Sequence, residues 1–122
     1  MISQYFKLSE FRSKDGADFP QDVLQNLQKL VVNLDVIREE IGLPIHVNSG
    51  YRSTQHNKKI GGAKNSFHVK GLASDVSVKA ISSNALKEII IGLMDSGKIT
   101  AGGVKAYENF VHYDIRGKKT LF

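Results

Sequence analysis

Apolar residues recur at spacings of three and four over residues 20–41. Val23, Leu24, Leu27, Leu30, Val31, Leu34, Ile37 and Ile41 draw one stripe, which predicts an amphipathic helix. Pro20 suits the first turn, where its missing N–H is no loss. Gly42 suits the C-terminal stop, with Pro44 just beyond. The period then changes. "IHVNSG" alternates, with Ile45 and Val47 on one face and His46 and Asn48 on the other, which predicts a short half-buried strand ending at Gly50. "STQHNKKIGG" predicts a short helix over Thr54 to Lys59, stopped by Gly61 and Gly62. In "HVKGLASDVSV" the alternation of Val76 and Val78 with Asp75 and Ser77 predicts a strand that Asp75 begins. Ser82 or Ser83 can cap a second helix, whose stripe is Ala85, Leu86, Ile89, Ile90, Leu93 and Met94 and which Gly97 ends. "TAGGVKAY" and "NFVHYDIRG" predict two more strands. On the last, Phe110, His112 and Asp114 share one face and Val111, Tyr113 and Ile115 the other.

Helices separated by short strands without regular βαβ alternation indicate an α+β fold. The expected form is a small, mostly antiparallel sheet with the long N-terminal helix on one face. The second helix packs on the same side or at an edge. A length of 122 residues and an apolar fraction of 41% fit a single domain over 1–122 with one core.

Charge and composition narrow the chemistry. The net charge of +5 suits an anionic partner, but the cations are scattered and no nucleic-acid motif accompanies them. The tightest cluster, "RGKKT" at Arg116 to Thr120, reads as a solvated end. No window reaches transmembrane length, and "MISQYFKLSEF" lacks the basic and apolar blocks of a signal peptide. With no cysteine, a metal site must use His, Asp or Glu. Of the four histidines, His68 closes a loop before a strand and His112 lies within one. Together with Asp75 they form the two-imidazole, one-carboxylate set of many catalytic zinc sites, which leave a fourth position for water. On spacing alone this stays open. A His-x6-Asp spacing is not among the standard zinc signatures, and for any single histidine the ordinary satisfied or exposed reading leads. His46, on a polar strand face, and His56, in a Lys-rich helix, read as non-ligands.

The ordered words around these residues carry more. "SGYRSTQHNKKIGGAKNSFHVKGLASDV" followed by "AGGVKAYENFVHYDIR" resembles the zinc D-Ala-D-Ala carboxypeptidase and murein endopeptidase family, the VanX- and VanY-like peptidases. Their metal site is related to that of the Hedgehog signalling domain. The shared pattern is S-G-Y-R-S, then N, G-G, S-x-H-x-x-G-x-A-x-D, G-G-x-x-x-Y and F-x-H-x-D. It runs from about Ser49 to Arg116, and the small size looks like the phage-type branch. The resemblance implies Zn²⁺ held by His68, Asp75 and His112. It gives Arg52 the task of holding the substrate or its polarised carbonyl, and makes Ser66 a hydrogen-bond partner for bound peptide. Tyr107 can line the substrate groove, and Asn57 matches the family asparagine in a structural role.

One position departs from the pattern. Where VanX-like members carry a general-base Glu three residues before the last His, this chain has Asn109. The phage-type pattern has Asp114 instead, which can act as base or orient His112. Glu108 stands behind both. The implied activity is a zinc-dependent, endolysin-like peptidase cutting peptidoglycan stem peptides as a monomer. It would be made in the cytoplasm and reach the wall by export or phage delivery. The alternative is a metal-containing wall-binding or tail-associated module with little turnover.

Overall fold

The computed structural model describes residues 2–122. The long apolar stripe forms helix α1, Gln21–Ile41. Pro20 stands one residue earlier than expected, as the cap, and Gly42 closes the helix with φ 73°. Strand β1, His46–Ser49, and helix α2, Thr54–Lys59, follow. Strand β2 spans Ala73–Ser77, helix α3 Ser83–Asp95, and strands β3 and β4 Gly103–Ala106 and Val111–Asp114. The Ser82 side chain caps α3 by accepting from the backbone N–H of Ala85 at 3.1 Å.

The sheet order is β1-β2-β4-β3-β5. All pairings are antiparallel except the last, where β5, Thr120–Leu121, runs parallel to β3. The α+β class and the mostly antiparallel sheet are therefore as expected. Two elements were not: a 3-10 turn at Leu8–Phe11, and β5, whose first residue, Thr120, ends the "RGKKT" run expected to be solvated.

Period two sorts the central strands. Val76, Val111, Tyr113 and Val104 are fully buried and join Leu27, Leu30, Leu34 and Ile37 of α1 and Leu86 and Ile90 of α3 in one core. Each such side chain contributes about 1.5–3 kcal/mol by burial. Both long helices thus share one face of the sheet. The opposite face carries Asp75 and His112, and α2 lies on that side.

Candidate metal centre

Asp75 does not begin its strand, as the alternation suggested. It lies in the middle of β2, because pairing with β4 extends the strand back to Ala73, two residues beyond the stretch that pairs with β1. Its Cα partner on β4 is His112. Residues directly opposite on antiparallel strands project from the same face and touch. Two of the three candidate ligands are therefore a cross-strand pair, fixed by register.

His68 arrives from outside the sheet. It sits in a run of tight turns, with Lys70 and Leu72 N–H groups returning to the Phe67 carbonyl and Gly71 N–H to the His68 carbonyl. Gly71 has φ 76°, a left-handed conformation that glycine adopts readily, and a Cβ there would stand 2.9 Å from Val23. Gly71 thus supplies the bend that turns the chain from His68 towards the strand bearing Asp75, which begins two residues later at Ala73. Arg52 N–H donates to the His68 carbonyl at 3.1 Å, tying the turn to the segment after β1.

The imidazoles present different nitrogens. His68 Nδ1 lies 2.9 Å from the Gly50 carbonyl, which can only accept, so Nδ1 carries the proton and Nε2 is a free lone pair. His112 is the reverse: Nε2 lies 2.7 Å from Asp114 Oδ2, leaving Nδ1 free. His68 Nε2 and His112 Nδ1 stand 3.3 and 3.4 Å from Asp75 Oδ1. Zinc bonds of about 2.0–2.1 Å at tetrahedral angles place neighbouring ligand atoms about 3.3–3.4 Å apart. One ligand atom from each of the three residues lies within 4.8 Å of the others. The donor set fits zinc in type, number and spacing. Burial pushes the Asp75 carboxyl up, but when the metal-free imidazoles carry a proton on the nitrogens facing it, hydrogen bonds from His112 and His68 outweigh this and hold it at about 2, so it is ionised as a ligand must be.

Asp114 is fully buried behind His112. Its Oδ1 accepts from Gly103 N–H at 2.9 Å, Arg116 N–H at 3.1 Å and Arg116 Nε at 2.8 Å. Its Oδ2 accepts from Arg116 Nη2 at 2.7 Å as well as from His112. Burial works against its charge, but these bonds hold it well below the usual carboxylate range. Its lone pairs are committed, and it does not line the cavity. Glu108 lies on the exposed bend between β3 and β4, where its carbonyl accepts from Ser83 Oγ, and it does not line the cavity either.

The ligands open into a cavity of about 460 Å³, also lined by Arg52, Ser66, Phe67, Tyr107, Phe110, Arg116 and Phe122. Arg52 Nη1 donates to Asn57 Oδ1 at 3.0 Å, and Nη2 stands 4.0 Å from Asp75 Oδ2. Asn57 in turn donates to the Ala63 carbonyl at 2.8 Å. Gly62 makes this possible, since a Cβ there would lie 2.0 Å from Asn57 Oδ1. Ser66 Oγ accepts from His68 N–H at 3.2 Å, which leaves its own hydroxyl hydrogen to donate. Tyr107 is exposed and stacks on Phe110 at 4.6 Å between centroids.

The structure thus brings His68, Asp75, His112, Arg52, Ser66 and Tyr107 to one cavity. His46 is exposed and His56 lies on α2 away from it. Sequence reasoning missed Arg116, Phe67 and Phe122. Arg116 was hidden in a charge run, although its place two residues after Asp114 was a signal.

The family model of Peptidase M15 matches residues 4–114. The chain is also 35% identical over 78 residues to the peptidoglycan L,D-endopeptidase MepK of Escherichia coli (strain K12), covering 58% of this chain and 40% of that protein. The proteins of that name from Escherichia coli O157:H7 and Shigella flexneri match to the same extent. The chain thus spans about two fifths of the length of the curated relatives it matches.

Proposed function

Because this chain belongs to the peptidase M15 family, we propose that it is a zinc-dependent peptidase that hydrolyses peptide bonds in peptidoglycan. One observation carries the reading: two imidazole lone pairs, from His68 Nε2 and His112 Nδ1, converge at 3.3 and 3.4 Å on one Asp75 oxygen inside the cavity. The peptidoglycan endopeptidase name of the matched relatives supports the substrate class. In this reading the chain works on the cell wall as a monomer, after export or phage delivery.

His68, Asp75 and His112 would hold the zinc ion, which when bound polarises a peptide carbonyl and lowers the pKa of a bound water towards about 7. Arg52 donates to the carbonyl oxygen as negative charge grows there. Burial lowers its pKa, but from so high a value that it stays charged, and Asn57 fixes one of its nitrogens. Ser66 donates its hydroxyl to the bound peptide backbone. Tyr107 and Phe110 wall the groove. Asp114 acts as a positioning residue, holding the proton on His112 Nε2 so that Nδ1 faces the metal.

A second reading has its own observation. Among the described residues lining the cavity, Asp75 is the sole carboxylate, so no separate carboxylate stands ready as general base. A metal-containing module that binds the wall with little turnover fits that fact. Incubating the zinc-loaded protein with purified peptidoglycan and analysing soluble products by mass spectrometry separates the two. New free amines at a defined peptide bond support the peptidase. Sedimentation with the wall and no released product supports the binding module. The identity of the products also tells carboxypeptidase from endopeptidase.

A further inference from the structure

The cavity holds a second guanidinium that peptide-carbonyl chemistry does not require. Arg116 uses its Nε and one Nη2 hydrogen on Asp114, two of the five N–H groups a guanidinium carries. The other three meet no acceptor among the described residues, and the side chain lines the cavity. Its Cζ stands 4.5 Å from the ring centroid of Phe67 and 5.4 Å from that of Phe122, so aromatic contacts as well as Asp114 hold its plane.

A second cation, not itself lining the cavity, stands beside two of the lining rings. Lys105, the Cα partner of His112 on β3, places Nζ 5.8 Å from the Phe122 ring centroid and 5.0 Å from that of Tyr107. No carboxylate of the described residues lies within ion-pair distance of it. Two cations thus flank one ring beside the metal ligands, with spare donors. Arg116 is already paired with Asp114, so the uncompensated charge on this side is that of Lys105, and an anion reaching the free Arg116 donors would meet it as well. The ring belongs to Phe122, just past β5. Arg116 and Phe122 both lie beyond the stretch 4–114 that the family model matches.

We propose that Arg116, with Lys105 and over the Phe122 ring, binds a free carboxylate of the substrate peptide away from the scissile bond, making this chain selective for acidic peptides. The inference rests on the peptidase reading. Arg52 serves the reacting carbonyl, and Arg116 reads the peptide beside it. A planar fork already fixed by Asp114 and two rings loses little freedom on receiving a carboxylate.

The test compares muropeptides with free carboxylates against the same muropeptides converted to primary amides. For the zinc-loaded wild type, amidation should lower kcat/KM about 10- to 100-fold, mainly through KM. In Arg116→Gln that ratio should collapse towards one. A role confined to holding Asp114 would instead slow both substrates equally and leave the ratio unchanged. Lys105→Gln leaves the Asp114 clamp intact and should narrow the ratio, so the test survives if Arg116→Gln folds poorly. A wild-type ratio near one, or a ratio unchanged in both variants, overturns the inference. If the wild type cleaves neither form, the peptidase reading fails. Calorimetric binding to the zinc-free protein then decides the carboxylate site: tighter binding of the free-carboxylate form, lost in the variants, supports it, and equal binding overturns it.

Discussion

His112 Nε2 lies 2.7 Å from Asp114 Oδ2, and the same oxygen accepts from Arg116 Nη2 at 2.7 Å. This places a buried carboxylate between an imidazole and a guanidinium. Its consequence runs forward through the ring, since a proton held on Nε2 leaves Nδ1 as the proposed ligand atom facing Asp75. Positions i and i+2 on a strand share a face, so "HYD" on β4 delivers ligand and orienting group together.

Asp114→Asn should therefore act through the metal. An amide can present its NH₂ group to His112 and no longer favours one tautomer, so zinc affinity should fall about 10–100-fold in a competitive chelator titration. The fold should lose about 1–3 kcal/mol in urea unfolding, because Arg116 loses its anionic acceptor. Glu108→Gln, on an exposed bend, should leave both measurements unchanged.

Gly103→Ala tests the same unit from behind. A Cβ there would stand 2.5 Å from both Arg116 Nη2 and Asp114 Oδ2. The methyl should push the pair apart, weakening zinc binding in the same direction as Asp114→Asn while leaving every charge in place. Isothermal calorimetry with Zn²⁺ reads this directly.

Gly62→Ala separates Arg52 from the metal. The methyl would displace Asn57 Oδ1, which holds Arg52 Nη1. The expected result is full zinc stoichiometry with kcat lowered about 10-fold or more. Arg52→Gln, which removes the proposed oxyanion donor itself, should cost about 10²–10³ in kcat.

The pH dependence follows from His112. Burial pushes its pKa down, but hydrogen bonds to Asp114 and Asp75 outweigh this and raise it above the ordinary value. In the zinc-free protein the raised value makes protonated His112 a source of stability. That contribution is fully present below about pH 6.5, the unfolded value, and is lost as pH rises through the folded one. Zinc needs the neutral ring, so zinc affinity should change with the opposite sign. It should weaken on acidification from a pH above 6.5, as direct zinc titrations across pH 5–8 would show. His112→Ala should abolish the steep part of that dependence.

Much of the fold was legible because its helices are strongly periodic. The stripe from Val23 to Ile41 and the Ser82 cap leave little choice. The site was legible through ordered words rather than through periodicity, which cannot reveal that Asp75 stands opposite His112. That fact is a register, set between residues 37 positions apart in the chain. The start of β2 was misplaced because Ala73 and Ser74 give no hydrophobic alternation, although both are buried between strands. β5 and Arg116 were missed for a related reason. A two-residue strand has no period, and in "RGKKT" one cation is turned inward by Asp114 while the lysines beside it stay in solvent.

The central claim is that hydrolysis depends on a metal held by His68, Asp75 and His112. It is tested most directly by peptidoglycan cleavage with the chelator-stripped protein before and after adding one equivalent of Zn²⁺, with products read by mass spectrometry. The account predicts no product from the stripped protein, recovery on zinc addition, and no recovery for Asp75→Asn. Cleavage that persists undiminished after the metal is removed would contradict it.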